Sequence, residues 1–309
     1  MNITNKTQVR VFVFSGLTDN LELAPFLFMI FLHIYMVTVV GNIGMMATVH
    51  ISSNLQTPMY FFLSYLSLVD LFYSSAITPR VLFDLISMKK AITFVGCALQ
   101  FFFFAGLACT ECLILANMAY DRYAAICHPL HYVSIMTKKK CLCLVVLSFS
   151  IGFLQSSMQT SCIFSLQFCG SHIIDHFYCD VPPLLKLSCS DTNICEMITV
   201  SAIVSFVLSS FMIILISYTL IISSILRMKS AEGRQKAFST CFSHVICVSM
   251  FFVSVFFTYL RSHSNVIENQ HKMAAVFYSV VTPMLNPLIY SLRNKEVKRG
   301  IIQAVRKLL

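Results

Sequence analysis

The sequence predicts an all-α membrane protein, a bundle of seven transmembrane helices, and three observations predict it. Of the 309 residues, 57% are hydrophobic and 11% are charged, too little polar surface to cover a water-soluble particle of this size. The apolar residues gather into seven runs, each near the ~20 residues that carry a helix across ~30 Å of hydrocarbon. The basic residues concentrate in alternate connections between those runs, the asymmetry that orients a multi-pass chain with its positive loops inside.

Taken in order, residues 1–23 are a polar head with Lys6, Arg10, Asp19 and Glu22. The head has no apolar core followed by a small-residue cleavage site, so no signal peptide is read there. Its sequons, Asn2-Ile3-Thr4 and Asn5-Lys6-Thr7, make Asn2 and Asn5 glycosylation acceptors if the head is extracellular. The spans follow near 24–49, 58–80, 97–120, 140–161, 197–226, 238–260 and 272–292, so the bundle fills 24–292, and 293–309 is a cytoplasmic tail. With the head outside, the inner segments hold Arg122, Lys138, Lys139, Lys140, Arg227, Lys229, Arg234, Lys236, Arg293, Lys295, Lys298, Arg299, Arg306 and Lys307, most of the 22 basic residues. The acids Asp84, Asp175, Asp180, Asp191, Glu196 and Glu268 fall in outer loops. The +9 net charge is therefore mainly an inner-face property, suited to anionic membrane lipid and a cytoplasmic protein partner. No groove with interleaved aromatic and basic residues is present, and nucleic acid is not an expected partner.

Of the 13 cysteines, Cys97, Cys169, Cys179, Cys189 and Cys195 fall at the outer, oxidising face, where they can pair. The others, Cys162 among them, fall in helices or near the inner face, where packed reduced thiols are expected. The connection from about 162 to 196 is long for a helix–helix loop, and its cysteines argue that it is ordered. The sequence does not choose among the pairings. A Cys97–Cys179 bridge would fold the loop over the bundle as a lid, a Cys169–Cys189 bridge would close it internally, and Cys195 would then be left free. His172, His176 and Asp180 lie near Cys179, but a bridged Cys179 is lost as a thiolate ligand, so no metal site is expected.

Two acids fall within the spans, Asp70 midway along the second and Glu111 midway along the third. Intramembrane charge is costly and marks functional positions. At similar depth the two carboxyls would either share a proton, locking helices together, or hold a cation, with sodium the plausible guest.

At the inner end of the third span stands Met118-Ala119-Tyr120-Asp121-Arg122-Tyr123, followed by Ala124-Ala125-Ile126-Cys127-His128-Pro129-Leu130. The Asp-Arg-Tyr triplet resembles the rhodopsin-like (class A) G-protein-coupled receptors, and the longer MAYDRYAAICHPL string resembles the vertebrate odorant receptors. Gly41-Asn42, LQTPMYFFLSYLSLVD from Leu55 to Asp70, KAFSTCFSH from Lys236 to His244, and PMLNPLIYSLRNKEVK from Pro283 to Lys298 extend the resemblance over nearly the whole chain. The long cysteine-bearing outer loop resembles the tetrapod-type (class II) branch.

The resemblance implies a switch at the inner face. Arg122 is implied to pair with Asp121 at rest and to turn toward the G protein on activation, with Tyr123 beside it. Arg stays charged, so a change of partner must move it. Lys236, Ser239, Thr240 and His244 are implied to face Arg122 or the partner. In the seventh span Pro287 removes a helix hydrogen bond and kinks the helix, while Asn286 can reach Asp70, with Asn42 in the same polar layer. Tyr218 and Tyr290 resemble the family's two inward tyrosines. The chain departs from the pattern at Phe251-Phe252-Val253, where the family carries Phe-Tyr-Gly: aromatic bulk remains at 252 but the hydroxyl does not.

A pocket for a small volatile should be enclosed and apolar with few polar groups. Phe101, Phe104, Ala105, Ala108 and Cys109 share one helical face above Glu111, with Ser205 and Phe206 on the fifth span, Phe252, Val255, Phe256 and Tyr259 on the sixth, and Tyr278 on the seventh opposite. No charged group stands clearly in the upper bundle, so an uncharged odorant bearing a hydroxyl, carbonyl or ester is expected. The resemblance implies an odorant receptor that raises cAMP through a stimulatory, olfactory-type heterotrimeric G protein, without a cofactor unless sodium is bound, in the plasma membrane of olfactory cilia. A transporter should show repeats or broken midplane helices, and an enzyme a nucleophile with its base or a metal set; the sequence has neither. A chemosensor expressed outside the nose would share the mechanism and differ in tissue.

Overall fold

The computed structural model describes residues 10–18, 20–87, 89–169, 171–259, 268–293 and 295–308. Seven long helices are present: α1 (Leu23–Ile51), α2 (Pro58–Ile86), α3 (Phe94–Cys127), α4 (Lys138–Phe164), α5 (Asn193–Arg227), α6 (Ala231–Tyr259), and α7, which runs from Glu268–Val276 through Phe277–Val281 to Thr282–Arg293. Among the described residues, six spans are long and apolar enough to cross a bilayer, and α6 carries a shorter apolar stretch, Cys241–Phe257. The helices overrun the apolar runs at both ends. Hydrophobicity marks the hydrocarbon slab, whereas helical hydrogen bonding continues into the interfacial layer. Wide-pitch π segments interrupt α5 at Ile203–Leu208 and α7 at Phe277–Val281, and an added residue per turn rotates every side chain beyond it.

α3 is the central post and packs on α2, α4 and α5. Its crossing with α4 is close because Gly152 has no side chain: a Cβ there would stand 2.7 Å from the Gly106 carbonyl oxygen. Backbone cannot yield as a flexible side chain can, so Gly152→Ala should cost about 1–3 kcal/mol by overpacking. Its melting temperature in detergent should fall clearly below that of Gly44→Ala, since nothing lies within 4 Å of a Cβ at Gly44. Equal melting of the two variants would show that the crossing adapts.

The outer face is an ordered cap. The head contributes β1 (Val11–Phe14), which pairs antiparallel with β2 (Ala91–Thr93) and parallel with β3 (Ile173–Ile174), tying three outer segments into one small sheet. Ser15 Oγ donates to Asp175 Oδ1 at 2.7 Å, and Lys272 of α7 completes the cluster with an ion pair to the same oxygen at 2.6 Å.

Three disulfides hold the long loop: Cys97–Cys179, Cys169–Cys189 and Cys162–Cys195. The third corrects two expectations, that Cys195 is unpaired and that Cys162 is a reduced helical thiol. α4 ends at Phe164 and α5 begins at Asn193, so both cysteines lie in outermost helical turns that face each other, with Cα atoms 5.7 Å apart.

At the inner face, the stretch read as a tail folds into an amphipathic helix, α8 (Lys295–Leu308). Tyr60 Oη donates to Glu296 Oε2 at 2.7 Å. Gly300 packs so closely that a Cβ would stand 2.7 Å from Leu55 Cδ1, which docks α8 under α1 and the first inner loop.

Candidate functional site

In the outer half of the bundle the lid drops inward after β3. Phe177, Tyr178, Cys179 and Asp180 are all buried. The Cys179 amide donates to Gln100 Oε1 of α3 at 3.1 Å, and the Tyr178 ring packs on Phe104 at 4.9 Å between centroids. The Tyr178 and Tyr278 hydroxyls are hydrogen-bonded, linking lid to α7. Asp180 Oδ1 caps a short helix, Val181–Lys186, by accepting from the Val181 amide at 2.8 Å.

Beneath this lid lies a mainly apolar cavity of about 100 Å³, the same order as the ~150 Å³ engineered cavity that admits benzene. Phe101, Phe104, Ala105, Ala108, Cys109 and Cys112 of α3 form one wall, Ala202, Ile203, Phe206 and Val207 of α5 another, with Phe251 and Val255 of α6, Tyr278 of α7 and Val181 of the lid closing it. The polar wall comes from α4 as Gln155, Ser156 and Gln159, faced by Thr199.

Below the cavity is the paired acid layer. Asn286 Nδ2 donates to Asp70 Oδ2 at 2.9 Å, joining α7 to α2. Asn42 Nδ2 donates to the carbonyls of Thr38 at 2.9 Å and Pro283 at 3.0 Å, joining α1 to α7. Asp70 and Glu111 are fully buried. Among the described residues, Asp70 Oδ1 and both Glu111 carboxyl oxygens have no hydrogen-bond partner. Carboxyl oxygens without hydrogen-bond partners, together with the Asn286 amide, are a donor set whose chemistry fits a small hard cation.

At the inner end, Tyr218 Oη is 2.7 Å from His244 Nδ1, and the two rings stack. Tyr290 is buried beside Cys247. Arg122 is buried among them, its charge acting on Tyr218, Cys241, His244 and Tyr290. The implied Asp121–Arg122 ion pair is not made. Asp121 Oδ1 instead accepts from Tyr132 Oη at 2.8 Å, a residue of the short inner helix Tyr132–Ile135. Burial and the Asp121 carboxylate push the Tyr132 phenol well above its ordinary range, so it remains a donor. Tyr123 turns outward, its hydroxyl 3.0 Å from His128 Nε2.

A lidded cavity, a buried acid layer and an inner arginine site are thus stacked through the seven helices. The sequence pattern described as "Olfactory receptor" matches residues 31–307. The chain belongs to the olfactory receptor family. It is 54% identical to olfactory receptor 5AP2 of Mus musculus over 306 residues, covering 99% of this chain and 95% of that one. Olfactory receptor 5B12 of Homo sapiens is 52% identical over 303 residues, 98% and 96% of the two chains. Squid rhodopsin superposes with a TM-score of 0.74 over 94% of this chain and 87% of its own at 14% identity, a likeness of fold. The chain is thus a multi-pass signalling receptor with the rhodopsin fold and not an enzyme.

Within this olfactory receptor, Phe101, Phe104, Ala105, Ala108, Cys109, Phe206, Val255 and Tyr278 lie in the cavity wall. Ser205 is exposed in the π segment of α5, where the wider turn carries it off the wall and brings Ala202, Ile203 and Val207 onto it. Phe252 and Phe256 pack on Phe211, each with centroids 5.5 Å away; one residue back along α6, Phe251 lines the cavity instead. The missing hydroxyl at 252 thus falls in an aromatic α5–α6 contact. The side chains of Tyr259, Lys236, Ser239 and Thr240, and residues Asn2 and Asn5, lie outside the described residues.

Sequence reasoning missed the α4 wall, although a signal was there. Gln155, Ser156 and Gln159 follow Gly152 at spacings of three or four in a span otherwise rich in apolar residues, a polar stripe aimed at the α3 crossing.

Proposed function

We propose that the receptor binds small, uncharged odorants in the cavity beneath its disulfide-anchored lid and answers by activating a stimulatory, olfactory-type G protein, raising cAMP. The observation that carries this is the cavity itself: lined by five helices and the lid, mainly apolar, and free of charged lining residues. A charged ligand would find no partner there, whereas an apolar body gains from leaving water. The ligand biases a population in which α6 moves away from Arg122, opening the inner cleft to the G protein. The head faces outward and the Lys- and Arg-rich inner loops meet lipid and G protein, in the ciliary plasma membrane of olfactory neurons. The test is cAMP in cells carrying that G protein, with confirmed surface delivery, against uncharged odorants. A ligand-dependent rise that disappears when the G protein is removed supports the reading; a response confined to charged ligands overturns it.

We propose further that Asp70 and Glu111 hold a sodium ion, with Asn286 orienting Asp70. Sodium bound there would stabilise the receptor by mass action. Replacing sodium by choline should lower the melting temperature of the purified receptor, and Glu111→Gln should remove that dependence. Identical melting of the wild type in both salts would mean instead that the two acids share a proton.

A further inference from the structure

We infer that Gln155 is the specificity-determining residue of the ligand cavity and that it selects a neutral hydrogen-bond acceptor, a carbonyl oxygen of a ketone, aldehyde or ester. This rests on the ligand-binding reading of the cavity and narrows it. Gln155 is 8% exposed on the inward face of α4, and it lines the cavity. Its Nε2 is buried with no hydrogen-bond partner among the described residues. A buried amide donor left unmade is costly, so a ligand acceptor placed on it gains a hydrogen bond that the protein itself does not supply.

The neighbouring polar groups have internal partners. Gln159 Nε2 donates to Thr199 Oγ1 at 3.0 Å, and the Thr199 hydroxyl in turn donates to the Cys195 carbonyl at 2.8 Å. Ser156 Oγ donates to the Phe102 carbonyl at 2.6 Å. The Tyr278 hydroxyl is bonded to Tyr178. The N–H donor left without a partner in this wall is thus the Gln155 amide, which a turn about the terminal bonds of its side chain would bring to the cavity, across from the apolar α3 and α6 faces that would hold a hydrocarbon skeleton. A carbonyl placed on it satisfies the amide without bringing a second donor that would itself need an acceptor. A hydrocarbon of the same shape leaves it unpaired, and sites built to hydrogen-bond reject analogues lacking the partner more strongly than they reject a change of one methylene.

The experiment measures binding apart from signalling. Purified receptor in nanodiscs, wild type and Gln155→Leu, is titrated by ligand-induced thermal shift with a library of small neutral ketones, aldehydes and esters. Each is paired with the analogue in which C=O is replaced by C=CH2, as cyclohexanone with methylenecyclohexane and acetophenone with α-methylstyrene. The same library is paired with the corresponding secondary alcohols. Expected is a preference of about tenfold or more for carbonyl over methylene in the wild type, lost in Gln155→Leu because carbonyl ligands weaken while methylene analogues bind as before. Gln155→Asn, which keeps the amide on a shorter stem, should retain part of the preference. Three results overturn the inference: equal weakening of both members of a pair by Gln155→Leu, no carbonyl preference anywhere in the library, or a Gln155-dependent preference for alcohols over ketones. Gln155-dependent carbonyl binding without cAMP would leave the inference standing and remove the G-protein reading. A cAMP response indifferent to Gln155→Leu would do the reverse.

Discussion

Arg122→Ala should silence the receptor while leaving its ligand cavity occupied. The arginine is buried at the inner end of α3 among Tyr218, Cys241, His244 and Tyr290, and its usual neighbour Asp121 is already engaged by Tyr132. A guanidinium keeps its charge at any working pH and presents a fork of donors. With Asp121 close enough to feel its charge but hydrogen-bonded to Tyr132 instead, it is poised for carbonyl or carboxylate acceptors of an incoming partner. Truncating one side of a buried, hydrogen-bonded charge contact at an interface costs about 2–5 kcal/mol, or on the order of 30-fold or more in coupling. Ligand-evoked cAMP should therefore fall to the level of untransfected cells, with surface delivery and the ligand-induced thermal shift unchanged. Arg122→Lys keeps charge but not the fork and should recover a minor part. Tyr132→Phe frees Asp121 to reach Arg122 and should lower basal signalling. Undiminished cAMP from Arg122→Ala would move the coupling site away from this cluster.

Much of this architecture was legible in the sequence, and the reason is the solvent. Hydrocarbon demands long apolar helices, so seven runs announce seven helices, and the cost of intramembrane charge makes Asp70 and Glu111 conspicuous. The Asn286–Asp70 bond was foreseeable because an interior proline at Pro287 and a neighbouring amide imply a polar contact at the kink. What the apolar runs could not give was rotation. The π segment in α5 inserts a residue without any proline or glycine to mark it, so Ser205 leaves the wall and Ile203 enters it. On α6, Phe251, Phe252, Val255 and Phe256 are equally hydrophobic, and the neighbour, Phe211, decides which face the cavity.

The outer cap was hidden for a different reason. β1, β2 and β3 are four, three and two residues long, too short for a period-two pattern, and they exist only because distant segments meet. α8 was readable in principle, since Val297, Gly300 and Ile301 share one face with charges on the other. A span-based reading stops where hydrophobicity stops, and it took that helix for a tail.

The disulfides yield the second large effect, and they should differ among themselves. Cys97–Cys179 closes 82 residues and ties the lid to the head of α3, Cys162–Cys195 closes 33, and Cys169–Cys189 closes 20 within the loop. Chain-closure entropy grows only as the logarithm of loop length, so by that account the three bridges span about 3–5 kcal/mol with little separation. Packing separates them more. Cys97 and Cys179 are completely buried, and the Cys179 amide is bonded to Gln100. Losing this bridge therefore also releases Tyr178 from Phe104 and Tyr278 and opens the cavity roof. Cys162 and Cys195 sit on helices already in contact, so their loss removes a staple from a joint that packing still holds. Cys179→Ser should accordingly abolish surface receptor and ligand-induced stabilisation. The double variant Cys162→Ser/Cys195→Ser should reach the surface in reduced amount with ligand selectivity intact, measured by surface immunolabelling and the thermal-shift titration. Equal losses in the two variants would mean that the lid needs both bridges to form, and that α4 and α5 do not dock without the covalent link between their outer ends.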